Sequence, residues 1–224
     1  DPEEVINYEG GLKTDWWNRR VRANVSIFYA EYSNLQTIQS VPDASAGPGG
    51  ASIVVDTGDA TIAGLEAEFR FVPDDHWEAG LSYTYLDATF DRLTQTSAIL
   101  ADGTAVRADL SGNRLSRTPE HAVSFDASYT TSRFAWGWVK LGISANYESE
   151  VFDDNANDFV EYRKARTLWD ASATWHFNDR YSLQLWGRNL GDVEYRTHQV
   201  ETGGGFFVQY GPPRQVGVTL TAEF

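Results

Sequence analysis

The residues best suited to chemistry form an acidic run: Asp153, Asp154, Asn155, Asn157, Asp158 and Glu161. Oxygen-rich loops suit Ca²⁺, which takes several carboxylate and carbonyl ligands, and Asp153, Asp154 and Asp158 are the candidate ligands here. Their spacing fits no EF-hand, and an acidic surface loop is commonly just solvated. Catalysis finds less support. The four histidines, His76, His121, His176 and His198, fall in unrelated places. There is no Gly-x-Ser-x-Gly, and no segment pairs His with Ser or Asp as a small rim-sited membrane enzyme would require. The absence of cysteine excludes disulfide scaffolds and thiolate metal sites. Neither an enzyme nor a resident cofactor is expected.

Two further groups have local backbone roles. Asn189 and Asp192 can satisfy backbone groups where a strand bends. Gly211-Pro212-Pro213-Arg214 leads into the last strand, with Arg214 placed to meet an anion if it faces inward.

The bulk properties narrow the classes. At 224 residues the chain is one large all-β domain or a piece of something longer. With 18 Lys and Arg against 32 Asp and Glu, its net charge of −14 argues against nucleic acid, which needs a basic surface. Hydrophobic content is 42% and mean hydropathy −0.42. No apolar run approaches the roughly 18 residues of a membrane-spanning helix. A membrane barrel stays open, because half of each strand faces a polar lumen. Aromatics make up 14%, with 8 Trp and 11 Tyr, residues that favour the membrane–water interface. The lack of any Met or leader pattern is what a segment of a longer translation product would show.

Period-two alternation predicts about nine strands. The first spans Glu4 to Trp16 and turns at Trp17–Arg20; the second carries Val21, Ala23, Val25, Ile27 and Tyr29 on one face and fades near Asn34. A loop is expected over Pro42–Gly50, then a third strand clearest from Gly64, with Leu65, Ala67, Phe69 and Phe71 opposite Glu66, Glu68 and Arg70. Pro73–His76 turns into a strand bearing Trp77, Ala79, Leu81, Tyr83 and Tyr85, followed by a long polar loop from Arg92 to Arg114. Val123–Tyr129, Val139–Tyr147, Trp169–Phe177, Tyr181–Leu185 and Val216–Phe224 supply the rest. Polar loops are expected at Asp153–Glu161 and around Gly203–Gly205.

Connections thus alternate short and long, as in outer-membrane barrels with tight periplasmic turns and extended outer loops. Aromatics gather at the short-turn end: Trp16 and Trp17, Phe71 and Trp77, Phe134 and Trp136, Trp175 with Phe177 and Tyr181, and Phe224. A soluble β-sandwich has no reason for that asymmetry. The expected fold is an all-β, antiparallel transmembrane β-barrel in contact with outer-membrane lipid. Nine strands leave the chain's ends on opposite sides, whereas bacterial barrels have even strand numbers and no edge exposed to lipid. Neighbouring strands from elsewhere are therefore expected; a self-sufficient ten-strand barrel is the alternative.

Several motifs follow one another along the chain: Asn7-Tyr8-Glu9-Gly10-Gly11-Leu12-Lys13, Phe28-Tyr29-Ala30-Glu31-Tyr32-Ser33-Asn34-Leu35-Gln36, and Gly64-Leu65-Glu66. Gly112-Asn113-Arg114-Leu115 with Thr118-Pro119-Glu120-His121, then Asn189-Leu190-Gly191-Asp192-Val193-Glu194-Tyr195 and Gly211-Pro212-Pro213-Arg214, continue the series in order. In order and spacing this series resembles the C-terminal half of TonB-dependent outer-membrane receptors. The resemblance implies that residues 1–224 are about nine C-terminal strands of a 22-stranded barrel. An N-terminal plug and the TonB-contacting segment would belong to the same receptor outside this stretch.

The function implied is import across the bacterial outer membrane of a ferric siderophore or similar scarce, large nutrient, driven by TonB. A passive porin-like channel or a small self-contained barrel is the alternative. Ligand contacts, a small-molecule metal chelate stacking or pairing with loop side chains, would come from Tyr32, Phe159, Tyr162, Arg163, Arg196, His198, Phe206 and Phe207. Phe224 resembles the terminal aromatic read by the barrel-assembly machinery.

Overall fold

The computed structural model describes residues 2–41, 51–102, 104–202 and 205–224. Its strands are β1 (Glu4–Trp16), β2 (Val21–Val41), β3 (Ala51–Phe71), β4 (Trp77–Ile99), β5 (Ala105–Asp109), β6 (His121–Thr130) and β7 (Trp138–Glu148). They continue with β8 (Val151–Phe152), β9 (Tyr162–Arg163), β10 (Arg166–His176), β11 (Tyr181–Arg188), β12 (Arg196–Thr202), β13 (Gly205–Tyr210) and β14 (Gln215–Ala222). Nine of these form an antiparallel meander in the order β1-β2-β3-β4-β6-β7-β10-β11-β14, with β5 added to β4. These are the nine strands the alternation predicts.

Register explains why the meander holds together. Ala23 pairs with Phe69, Phe69 with Leu81, Leu81 with Phe125, Phe125 with Ala145, and Ala145 with Trp169. One residue along, Arg22, Arg70, Gly80, Asp126, Ser144 and Asp170 form the matching polar row. A slip of one residue in any pair would exchange the faces, so the pattern itself excludes odd-numbered slips.

No second layer covers the apolar face among the described residues. Leu12, Ile27, Phe69, Leu81, Leu141, Leu185, Val218 and Leu220 are all exposed there. A soluble sandwich would bury such a row under another sheet. The polar face carries ion pairs near the short turns: Arg22 to Asp15 at 2.9 Å, Arg70 to Asp126 at 3.2 Å, and Arg70 to Glu78. Asn24 adds a hydrogen bond to Glu68 at 3.2 Å.

The short turns are closed locally. Trp17, Asn18 and Arg19 all take left-handed backbone conformations, and Arg20 N–H donates to Trp17 O at 3.1 Å. In the β3–β4 turn the Asp74 carboxylate accepts the backbone N–H groups of His76 and Trp77 at 2.8 and 3.0 Å. Those donors, His76 first, hold the Asp74 carboxyl below the usual carboxylate range.

On the long-loop side the structure departs from the sequence reading. β2 does not fade at Asn34, and β4 runs through Arg92 to Ile99, where β5 pairs back along it inside the stretch read as loop. Alternation is lost there for a physical reason. Irregularities between Tyr32 and Gln36 and between Asp59 and Ala60 shift the face on which side chains emerge, with Asn34 in a left-handed conformation. Ala60, Phe90 and Leu93 form a buried cluster here, packed by Tyr32, Leu35, Leu110 and Leu115. The expected Pro42–Gly50 loop lies outside the described residues, as do Gly203 and Gly204 of the Gly-rich loop.

Candidate functional site

The β7–β10 and β11–β14 connections build a cleft on the long-loop side. After β8, a 3₁₀ turn at Phe159–Glu161 leads into β9, which pairs with β8 through Phe152 and Tyr162. One wall of the cleft is Phe159, Tyr162, Arg163, Lys164 and Arg166; the other is Val193, Glu194, Tyr195 and Arg196. Its volume is about 390 Å³, within the range of small-ligand pockets.

Both walls are held from behind. The Asp153 side chain is fully buried and lies 3.0 Å from Arg163 Nε and 3.5 Å from Arg117 Nε. It also accepts the backbone N–H of Gln199 at 3.0 Å. Gln199 in turn accepts from the Arg196 guanidinium and donates to Val160 O. Three outer connections, those carrying Arg117, Arg163 and Gln199, therefore meet on one carboxylate. A buried charge is tolerable only when paired in this way.

Arg166, in the first wall, reaches across to the second. It donates to Arg196 O at 3.0 Å, pairs with Glu148 at 2.8 Å, and places its guanidinium carbon 4.7 Å above the Tyr195 ring. That ring lies directly on Gly211, where a β-carbon would fall inside the ring's van der Waals surface. Gly211 N–H donates to Tyr195 O at 2.9 Å. The Gly in the run-up to the last strand is thus a clearance for Tyr195. Asn189 accepts Val193 N–H at 2.9 Å and donates to Val193 O and Pro212 O. Asp192 accepts Arg214 N–H at 3.0 Å. Both residues have the local backbone role expected of them.

Of the eight ligand candidates, Phe159, Tyr162, Arg163 and Arg196 meet in the cleft. His198 lies beside it, its Nδ1 3.1 Å from an Arg117 nitrogen. Phe206 and Phe207 are exposed on β13 of a separate β12–β13 hairpin that alternation did not reveal. Tyr32 packs on the Ala60–Phe90–Leu93 cluster instead. Sequence reasoning missed Lys164, Arg166 and Tyr195. The signal was there: Arg163-Lys164-Ala165-Arg166 concentrates basic residues in a chain of net charge −14.

The calcium candidates are not assembled into a metal site. Asp153 is occupied by two guanidinium groups, and Asp154 accepts the backbone N–H groups of Ala156 and Asp158 at 3.0 and 3.2 Å. Among the described residues no three His, Cys, Asp or Glu side chains converge on one position. Burial raises the Asp154 carboxyl above its ordinary value, and its backbone donors only partly offset this.

Relatives carry the same architecture. The probable TonB-dependent siderophore receptor PiuA of Acinetobacter baumannii is 27% identical over 198 residues, covering 88% of this chain and 24% of that protein. The metal-pseudopaline receptor CntO of Pseudomonas aeruginosa is 24% identical over 227 residues, covering 100% of this chain and 28% of that protein. The chain therefore spans about a quarter of the length of these relatives. Among solved structures, the ferric yersiniabactin uptake receptor FyuA from Yersinia pestis superposes with a TM-score of 0.78 at 19% identity, over 99% of this chain and 30% of that one. The family model described as TonB dependent receptor-like, beta-barrel, matches residues 1–190, and with the one-sided nine-strand meander it shows that this chain belongs to the TonB-dependent receptor β-barrel family.

Proposed function

We propose that the chain is the C-terminal part of the barrel of a longer bacterial outer-membrane receptor, which imports a ferric siderophore or similarly scarce chelate by TonB-driven transport. The observation that carries this reading is the uncovered apolar face running through nine strands of a chain from this receptor family. Lipid is the solvent that such a face requires. Relatives bear the names of siderophore and metal-chelate receptors, not of enzymes.

In this reading the opposite face, with its Arg22, Arg70, Glu78 and Asp126 side chains, meets a plug contributed by the same receptor. That plug carries the contact with TonB. Further strands close the barrel to the 22 that the resemblance implies, and Phe224 is read by the assembly machinery. The cleft between Tyr162–Arg166 and Val193–Arg196 receives the chelate from outside.

The test is uptake of radioactive iron by cells carrying or lacking the full-length gene, under iron limitation, with and without functional TonB. Uptake that needs both the gene and TonB is the expected result. Uptake that needs the gene but continues without TonB would identify a passive channel.

A further inference from the structure

The cleft's own chemistry narrows the class of chelate. Among the described residues, four cationic side chains line it, Arg163, Lys164, Arg166 and Arg196, against the carboxylate of Glu194. Two of the four are neutralised from behind: Arg163 by Asp153 and Arg166 by Glu148. The Arg196 guanidinium is held by the neutral Gln199 amide, and Lys164 is exposed at the rim. In a protein with net charge −14, this local excess of positive charge favours an anion at this place over its surroundings.

The aromatics specify a second property. Phe159 is 88% exposed and nearly parallel to Tyr162, with ring centroids 6.2 Å apart and planes at 9°. Tyr195 is fixed in place by Gly211 and Arg166. An apolar ring kept exposed beside cations, on a loop rich in Asp and Asn, is a stacking surface for a planar group. Among hard-oxygen donors for Fe³⁺, catecholates bring two negative charges per bidentate group, so a tris-catecholate complex leaves both negative charge and flat rings on its outside. Trihydroxamates leave neither.

We propose that this cleft selects an anionic, aryl-bearing metal chelate, with Arg196 and Lys164 meeting its charge and the Phe159–Tyr162 pair and Tyr195 meeting its rings. The inference rests on the receptor reading above and deepens it. Asp153 and Gln199 act as positioning residues, since they fix the two walls on which these groups stand.

The experiment uses purified full-length receptor in detergent and two probes of similar size: a synthetic ferric tris(catecholamide), which is a trianion, and a neutral ferric trihydroxamate. Binding is read by quenching of intrinsic fluorescence at low and high salt. Wild type should prefer the trianion, and added salt should erode that preference. Arg196→Gln and Lys164→Gln should each weaken the trianion by roughly tenfold and the neutral probe by less, so that the preference shrinks. Phe159→Ala removes ring without charge, so its loss of affinity should persist at high salt. Equal or tighter binding of the neutral probe by wild type, or an unchanged preference in both charge variants, would overturn the inference. Either result leaves the TonB-dependent iron-uptake test of the receptor reading untouched, so the two fail separately.

Discussion

Trp186 of β11 lays its indole across Gly217 of β14, and its Nε1–H donates to Thr219 Oγ1 at 3.2 Å. The contact lies on the polar face, where Trp186 pairs with Ser172 and Gly217. No side chain other than hydrogen fits beneath the ring, because a β-carbon on Gly217 would enter it. The contact therefore identifies one register for the last strand of the meander: moving β14 by two residues preserves the apolar face but places Gln215 or Thr219 under the indole.

Replacing Gly217 by Ala should consequently destabilise the barrel by about 1–3 kcal/mol, the usual cost of overpacking a filled site. Trp186→Phe keeps a ring over Gly217 and loses only the hydrogen bond, so it should be milder. The midpoint of urea unfolding of the full-length receptor, followed by mobility of folded and unfolded forms on unheated gels, measures both. Equal midpoints for wild type and Gly217→Ala would mean the ring has room to leave.

Gly211 offers the same geometry with a functional consequence. Its missing side chain leaves room for Tyr195, over which Arg166 is stacked. Gly211→Ala should displace Tyr195 and with it the stacked Arg166. The expected outcome is loss of affinity for the ferric tris(catecholamide) by roughly tenfold with a barrel that still folds. Gel mobility checks the fold and quenching checks the affinity. A variant that binds like wild type would remove Tyr195 from the site.

Legibility follows from where the constraint comes from. Ala23, Phe69, Leu81, Phe125 and Ala145 could be placed from the sequence because an apolar face must repeat every two residues wherever the sheet needs one. The β1 limits, Glu4 and Trp16, come out as read. Beyond Asn34, Asp59 and Arg92 no such face is required, and bulges shift the phase; so the upper parts of β2 and β4, and all of β5, carry no readable period. The cleft was half legible. Phe159, Tyr162, Arg163 and Arg196 stand out by type, but Tyr195 enters only through its contact with the distant Gly211, which spacing alone does not reveal. Asp153 resembled a cation ligand because its arginine partners come from other loops or from beyond the acidic run.

Leu93 has no exposed surface and is buried in one cluster with Ala60 and Phe90. Its backbone carbonyl accepts Leu110 N–H at 2.8 Å, tying the end of the β5 hairpin to β4. Leu93→Ala should cost about 2–5 kcal/mol locally, the range for emptying a buried leucine site. Amide hydrogen exchange in the full-length receptor should then show faster exchange across residues 86–115 and little change in β10 and β11. Uniform acceleration throughout the barrel would show that this cluster is not a separate unit of stability.

Asp154 gives a pH prediction with a definite sign. Burial raises its carboxyl pKa in the folded protein, the charge of Asp158 acts in the same direction, and the N–H groups of Asp158 and Ala156 oppose them. Between the unfolded value and the raised folded one, the native loop binds more protons than the unfolded loop, so local stability falls as pH rises. Below that window both states are protonated and stability is at its full value; above it the cost of the buried charge is fully present. Asp154→Asn keeps an oxygen for the N–H groups of Ala156 and Asp158 and removes the titration. Protection of amides in residues 153–161, expressed as the ratio of variant to wild type to cancel intrinsic exchange rates, should therefore be near unity at the acidic end and climb with pH before levelling. A ratio that stays flat, or falls, would assign the pH response of this loop to another group.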